Sequence, residues 1–190
     1  MPSRRGFLGA LGALAAAAAA RADDAPWERL RRGGLVILMR HASTGPGLGD
    51  PPGYRLDDCG TQRNLSEQGR AEARRVGERF RERRIPVALV LTSPWCRCRE
   101  TARLAFGAAE DWEPLSSFFD RPDREADYSR RVKQRIARHA ARKPAGNVVM
   151  VTHNVNIAAL TGHSVGTAEM VLVRPDGCCE VRALERVRID

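Results

Sequence analysis

The sequence predicts an α/β fold, a three-layer sandwich built on a mostly parallel central sheet. Three observations carry this. Two short apolar runs, Val36-Ile37-Leu38-Met39 and Val148-Val149-Met150-Val151, read as strands buried on both faces. Segments of helical periodicity separate the strands, the alternation that builds a parallel sheet covered on both sides. Both runs end in a histidine, His41 and His153, where open α/β sheets place their ligands.

Taken in order, Trp27 to Arg32 suggests a short helix, and the first strand covers Leu35 to Met39. Gly45 to Asn64 is a long loop rich in Gly, Pro and Asp, a length that usually signals function or disorder. Ser66 can cap a helix reaching about Arg84, with Ala71, Ala73, Val76 and Phe80 near its inner face. Val87 to Leu91 is the second strand, and Ser93-Pro94 turns the chain into a helix from Cys96 to Phe106. Trp112 to Phe119 is ambiguous, a short strand and a loop being one reading. An amphipathic helix spans Asp123 to Arg142, followed by the Asn147–Thr152 strand and a helix over Asn154 to Leu160. Met170–Val173 and Glu180–Leu184 form a closing hairpin, with Pro175-Asp176-Gly177 as the turn.

Residues 1–22 read as a twin-arginine signal peptide: Arg4-Arg5, an uncharged Ala/Leu/Gly run from Gly9 to Ala20, and small residues at Ala20 and Ala22. This predicts export to the periplasm. The run is too short and Ala-rich for a membrane span, so no stable span is expected after cleavage. Residues 23–190 then form one domain with a substantial core. Of 32 basic residues all but Lys133 and Lys143 are arginine, and removing the leader lowers the formal net charge of +9 by three. Basic character favours anionic substrates. No dense basic run interleaved with aromatics appears, so nucleic acid is not an expected partner. Five cysteines in an exported chain permit disulfides. If the loops after the first and second strands rim one site, Cys59 can bridge to Cys96 or Cys98. Cys178-Cys179 falls on a terminal strand, and a zinc site is disfavoured by the spacing.

Four stretches recur together in a known family: Leu38-Met39-Arg40-His41-Ala42, Asn64 to Ala73, Ser93-Pro94-Trp95-Cys96-Arg97-Cys98-Arg99-Glu100-Thr101-Ala102, and Val151-Thr152-His153. In this the chain resembles the histidine phosphatase superfamily, whose fold is called phosphoglycerate mutase-like. The resemblance implies that His41 is a nucleophile forming a phosphohistidine, which suits an imidazole unprotonated near neutral pH. It implies that Arg40 and Arg97 grip the phosphate through forked, permanently charged donors, with His153 completing the pocket. With side chains as the cations, no metal and no other cofactor is expected.

A leaving group also needs a proton donor. In many relatives an acid follows the third strand, which points to Asp120, with Asp123 and Glu125 behind it and Asp50, Asp57 and Asp58 as rivals. The Asp50–Asn64 stretch can instead shape a specificity wall from which Arg63 reaches the substrate. Arg99 reads as a salt-bridge partner, His139 as solvated, and His163 as a loop residue. Two departures from the family's usual glycines are Ala42 and Asn154. The leader and short chain resemble small exported phosphatases more than mutases. The expected partner is a phosphorylated small molecule or a cell-envelope phosphate, a lipopolysaccharide sugar phosphate being one candidate. The competing class is a non-catalytic phosphate-binding module of the same fold.

Overall fold

The protein is described from a computed structural model covering residues 24–142, 144–177 and 179–189. The proposed signal peptide lies outside these residues, as does Cys178.

Residues 24–31 form the first helix, α1. Strands β1 (Val36–Arg40), β2 (Val87–Thr92), β3 (Glu110–Asp111), β4 (Asn147–Thr152), β5 (Met170–Asp176) and β6 (Glu180–Val187) make one sheet of order β3-β2-β4-β1-β5-β6. The β1/β4, β4/β2 and β2/β3 pairs are parallel, and β5 and β6 close one edge antiparallel. Successive side chains of a strand face opposite ways, and the core divides accordingly. Ile37, Met39, Val149, Val151, Met170 and Leu172 pack with α1, α2 (Glu67–Glu82) and α3 (Cys96–Phe106). Val36, Leu38, Val148, Met150, Val171 and Val173 pack with α4 (Glu125–Ala141) and α5 (Asn154–Thr161). The result is the expected three-layer sandwich.

Ser66 caps α2 as expected, its side chain accepting from the Gly69 N–H. Gly69 is required there, because a Cβ would lie 1.9 Å from the Ser43 carbonyl oxygen. That contact seats α2 against the chain leaving β1, beside the site.

Two local expectations need correction. β5 runs through Pro175 and Asp176, so the turn begins at Gly177 (φ +65°), and Cys179 lies in that turn rather than on a strand. Proline is tolerated because β1 pairs with β5 only as far as Val173, leaving one neighbour beside Pro175. After the two-residue β3, residues 112–116 are held by side chains of other elements. Thr152 Oγ1–H donates to the Leu115 carbonyl (2.7 Å) and Asn156 Nδ2–H to that of Ser116 (2.8 Å). No periodic signal announces such a segment.

Candidate active site

The parallel strands β2, β4 and β1 end side by side. The ladder continues one residue past them, with His41 N–H donating to the Thr152 carbonyl and Ser93 N–H to that of Val151, both at 2.9 Å. His41, His153 and Ser93 therefore arrive together at one edge of the sheet. The two imidazoles lie edge to face with centroids 5.4 Å apart, and Trp95 stands 5.4 Å from His153 on another side.

His41 is buried, with Nδ1 2.8 Å from the Ala42 carbonyl oxygen. A carbonyl only accepts, so Nδ1 carries the proton and the lone pair is on Nε2. Burial, followed by the charges of Arg97, Arg40 and Arg63, pushes the His41 pKa down to about 3 against the Ala42 hydrogen bond. The ring is neutral at any pH near 7. His153 Nε2 meets Ser93 Oγ at 2.9 Å and Cys98 Sγ at 3.5 Å. Burial first, then the proximity of His41 and the arginines, holds its pKa well below the ordinary histidine value. Ala42 has no left-handed backbone, so this position needs no glycine; its N–H donates to Thr101 Oγ1 (3.1 Å). Asn154 starts α5 and accepts the Val165 N–H (2.8 Å).

Three arginines surround the His41 ring. Arg40 donates from Nη1 to the Val165 carbonyl (2.7 Å), and Arg63 from Nη1 to that of Gly47. Arg97 donates from Nη1 to Asp50 Oδ1 (2.8 Å) in a pair whose side chains are 5% and 3% exposed. In each guanidinium the Nε–H is buried with no partner. Arg63 is thus a full member of the cluster, beyond the role its loop position suggested. The sequence points to it only as a residue of the specificity wall, with no motif to mark it as part of an arginine cluster.

Asp50 binds three donors: Arg97 Nη1 and the Arg63 N–H (2.9 Å) on Oδ1, and Trp95 Nε1–H (3.1 Å) on Oδ2. Burial works to raise its pKa, but these hydrogen bonds and the Arg97 charge outweigh it and hold the carboxyl below its ordinary value. Asp50 is therefore an anion that aims Arg97, not a proton donor. Asp58 caps a short turn through the Gly60 N–H, and Asp57 and Asp123 pair with Arg55 and Arg121. Asp120 is exposed, and its charge bears on Tyr54, whose ring lies 6.0 Å from Trp95. Its proximity to Tyr54, which leads through Trp95 to His153, puts it at the rim of the site. Arg99 pairs with Asp111 as expected (3.0 Å), and His163 is exposed. His139 is half-buried against Leu35 rather than solvated, and burial lowers its pKa.

The loop carrying Asp50 and Arg63 is fastened by a disulfide between Cys59 and Cys96, at the residue before Arg97. Of the two partners open to Cys59, Cys98 is excluded because it lies buried beside His153. Among the described residues no group of three or more His, Cys, Asp or Glu side chains is arranged to hold a metal ion.

The family profile of the histidine phosphatase superfamily (branch 1) matches residues 36–118. No curated protein sequence matches the chain. The protein histidine phosphatase SixA complexed with tungstate is 17% identical, covering 80% of this chain and 96% of its own, with a TM-score of 0.55. Phosphoserine phosphatase from Entamoeba histolytica is 13% identical over 82% of this chain and 97% of its own (TM-score 0.58). The mycobacterial glucosyl-3-phosphoglycerate phosphatase is 19% identical over 78% and 96% (TM-score 0.55). At these identities the structures establish a shared fold. The chain shares this fold and, over residues 36–118, is similar to branch 1 of the histidine phosphatase superfamily.

Proposed function

We propose that the chain is an exported phosphomonoesterase acting through a phosphohistidine on His41. The observation that carries this is the trio of buried, unpartnered Nε–H donors on Arg40, Arg63 and Arg97 around a neutral imidazole. An orphaned buried donor costs about 1–3 kcal/mol. An anion that accepts from all three repays that cost, and phosphate presents the oxygens to do so.

In this reading the Nε2 lone pair of His41 attacks phosphorus and the bond to the leaving oxygen breaks. The leaving oxygen takes a proton from Asp120, which reaches the substrate from the rim. Water then attacks the phosphohistidine, its proton passes to the Asp120 carboxylate, and the electron pair of the breaking P–N bond returns to Nε2. The Ser93 hydroxyl donates to His153 Nε2, which leaves Nδ1–H of His153 to stabilise an equatorial oxygen. The fixed donors need no reorganisation as charge develops. The substrate is a phosphorylated small molecule or a cell-envelope phosphate, a lipopolysaccharide sugar phosphate included. The location is the periplasm, on the strength of the leader sequence.

One observation favours the rival reading, a phosphate-binding module without turnover. Asp50 is locked as an anion, and Asp120 stands exposed at the rim. Turnover of a phosphomonoester panel by residues 23–190 decides between them. Hydrolysis lost in His41→Ala supports the enzyme; phosphate binding with no hydrolysis of any member, activated aryl phosphates included, supports the module.

A further inference from the structure

Among the described residues three large apolar side chains are well exposed: Leu48 at 94%, Phe119 at 59% and Leu56 at 37%. They come from two separate loops, yet each lies within two residues of a group tied to the site. Leu48 is two residues before Asp50, which holds Arg97. Leu56 is two residues after Tyr54, which stacks toward Trp95. Phe119 adjoins Asp120, whose charge reaches Tyr54 from the other loop, as does that of Arg121. Tyr54 leads through Trp95 to His153, and residues 115 and 116 are bonded to Thr152 and Asn156 on either side of His153, so the 45–64 and 116–121 loops both border the site and carry the exposed apolar residues. An exposed Leu taken singly is unremarkable, but a group rimming a polar pocket marks an interaction site. The disulfide at Cys59 fixes the first loop to α3, so the rim stands in place before a ligand arrives.

Such a rim suits a ligand with two unlike ends. The arginines take the phosphate, and the rim takes whatever is esterified to it. We propose that the substrate is an amphiphilic phosphomonoester, its phosphate on a chain or ring system apolar enough to lie against Leu48, Tyr54, Leu56 and Phe119. This rests on the phosphomonoesterase reading and narrows it to a class of leaving group. A compact polyhydroxylated ester leaves these side chains in water and gains nothing from them.

The test compares kcat/KM for a medium-chain alkyl phosphate, kept monomeric, with that for glycerol phosphate, in wild type and in the double variant Leu48→Ser, Phe119→Ser. We expect the wild type to prefer the alkyl ester by at least about tenfold, and the variant to lose most of that preference, as expected for removing apolar contacts. Equal values for the two esters, or a preference unchanged in the variant, overturn the proposal while leaving the phosphatase reading intact. A binding arm separates the two ideas. His41→Ala should bind the alkyl phosphate more tightly than glycerol phosphate by calorimetry, with or without turnover in the wild type, and equal affinities overturn the proposal. Repeating the assay with the alkyl phosphate diluted into neutral lipid vesicles identifies the source. A faster rate there points to membrane-borne substrate, a slower one to a free amphiphile, and either supports the apolar rim.

Discussion

Asp50→Asn tests how the arginine cluster is held in the absence of phosphate. In the native protein one carboxylate meets three donors: Arg97 Nη1 at 2.8 Å, the Arg63 N–H at 2.9 Å and Trp95 Nε1–H at 3.1 Å. Asparagine has one accepting oxygen, so its NH2 must face a donor, and Arg97 loses the counter-charge of Asp50 in a buried setting. Breaking a buried pair by removing one partner costs about 3–5 kcal/mol. At about 2–4 °C per kcal/mol for a domain of this size, the variant should unfold about 6–20 °C lower. The same change removes a negative charge from the anion pocket, so phosphate should bind the variant more tightly, by roughly tenfold. Binding to the native state alone adds stability as RT ln(1 + [L]/Kd). Scanning calorimetry across a phosphate titration should therefore show a gap between wild type and variant that narrows as phosphate rises. An unchanged Tm without phosphate, or a gap constant at every concentration, refutes the assignment of Asp50 as the pin of Arg97.

Three further outcomes follow from the same geometry. The His41 pKa of about 3 lies below the ordinary 6.5, so the unfolded chain binds the extra proton first; stability contributed by a neutral His41 is full above about pH 6.5 and lost as pH falls toward 3. Urea unfolding from pH 4 to 7 should show a shallower rise for His41→Gln than for wild type, and equal slopes contradict it. Replacing Cys59 and Cys96 together with serine opens a 37-residue loop and should cost about 4 kcal/mol, with KM raised more than kcat is lowered; an unaltered melting point argues against the bridge. Asp120→Asn should slow alkyl esters, which leave as strong bases, far more than nitrophenyl phosphate, and equal slowing removes Asp120 as proton donor.

How much of this was legible in the sequence depended on whether the information was local. The buried strands β1 and β4 and the amphipathic α2 and α4 carry their periodicity on the chain, so their positions could be read closely. His41 and His153 were legible because strand ends in a parallel sheet meet at one edge. The sequence marks Arg63 as a residue that can reach the substrate and Asp50 as a candidate acid, but the bond that ties Asp50 to Arg97 was not legible, since a long loop has no period and its course is set by tertiary bonds to Arg97, Trp95 and the Cys59–Cys96 bridge. The pairing of Cys59 with Cys96 rather than Cys98 turned on which face of α3 each thiol occupies. Residues 112–116 were ambiguous for a related reason: Thr152 and Asn156, far along the chain, supply the hydrogen bonds that shape them.

The central claim is that His41 Nε2 is the atom that takes the phosphoryl group. Rapid mixing with an excess of an aryl phosphate, quenching in alkali and peptide mass spectrometry should find a phosphoryl group on His41. The adduct should be stable in base, lost in acid, and absent from His41→Ala. A phosphoryl group on His153, on Ser93 or on no residue during active turnover contradicts the account.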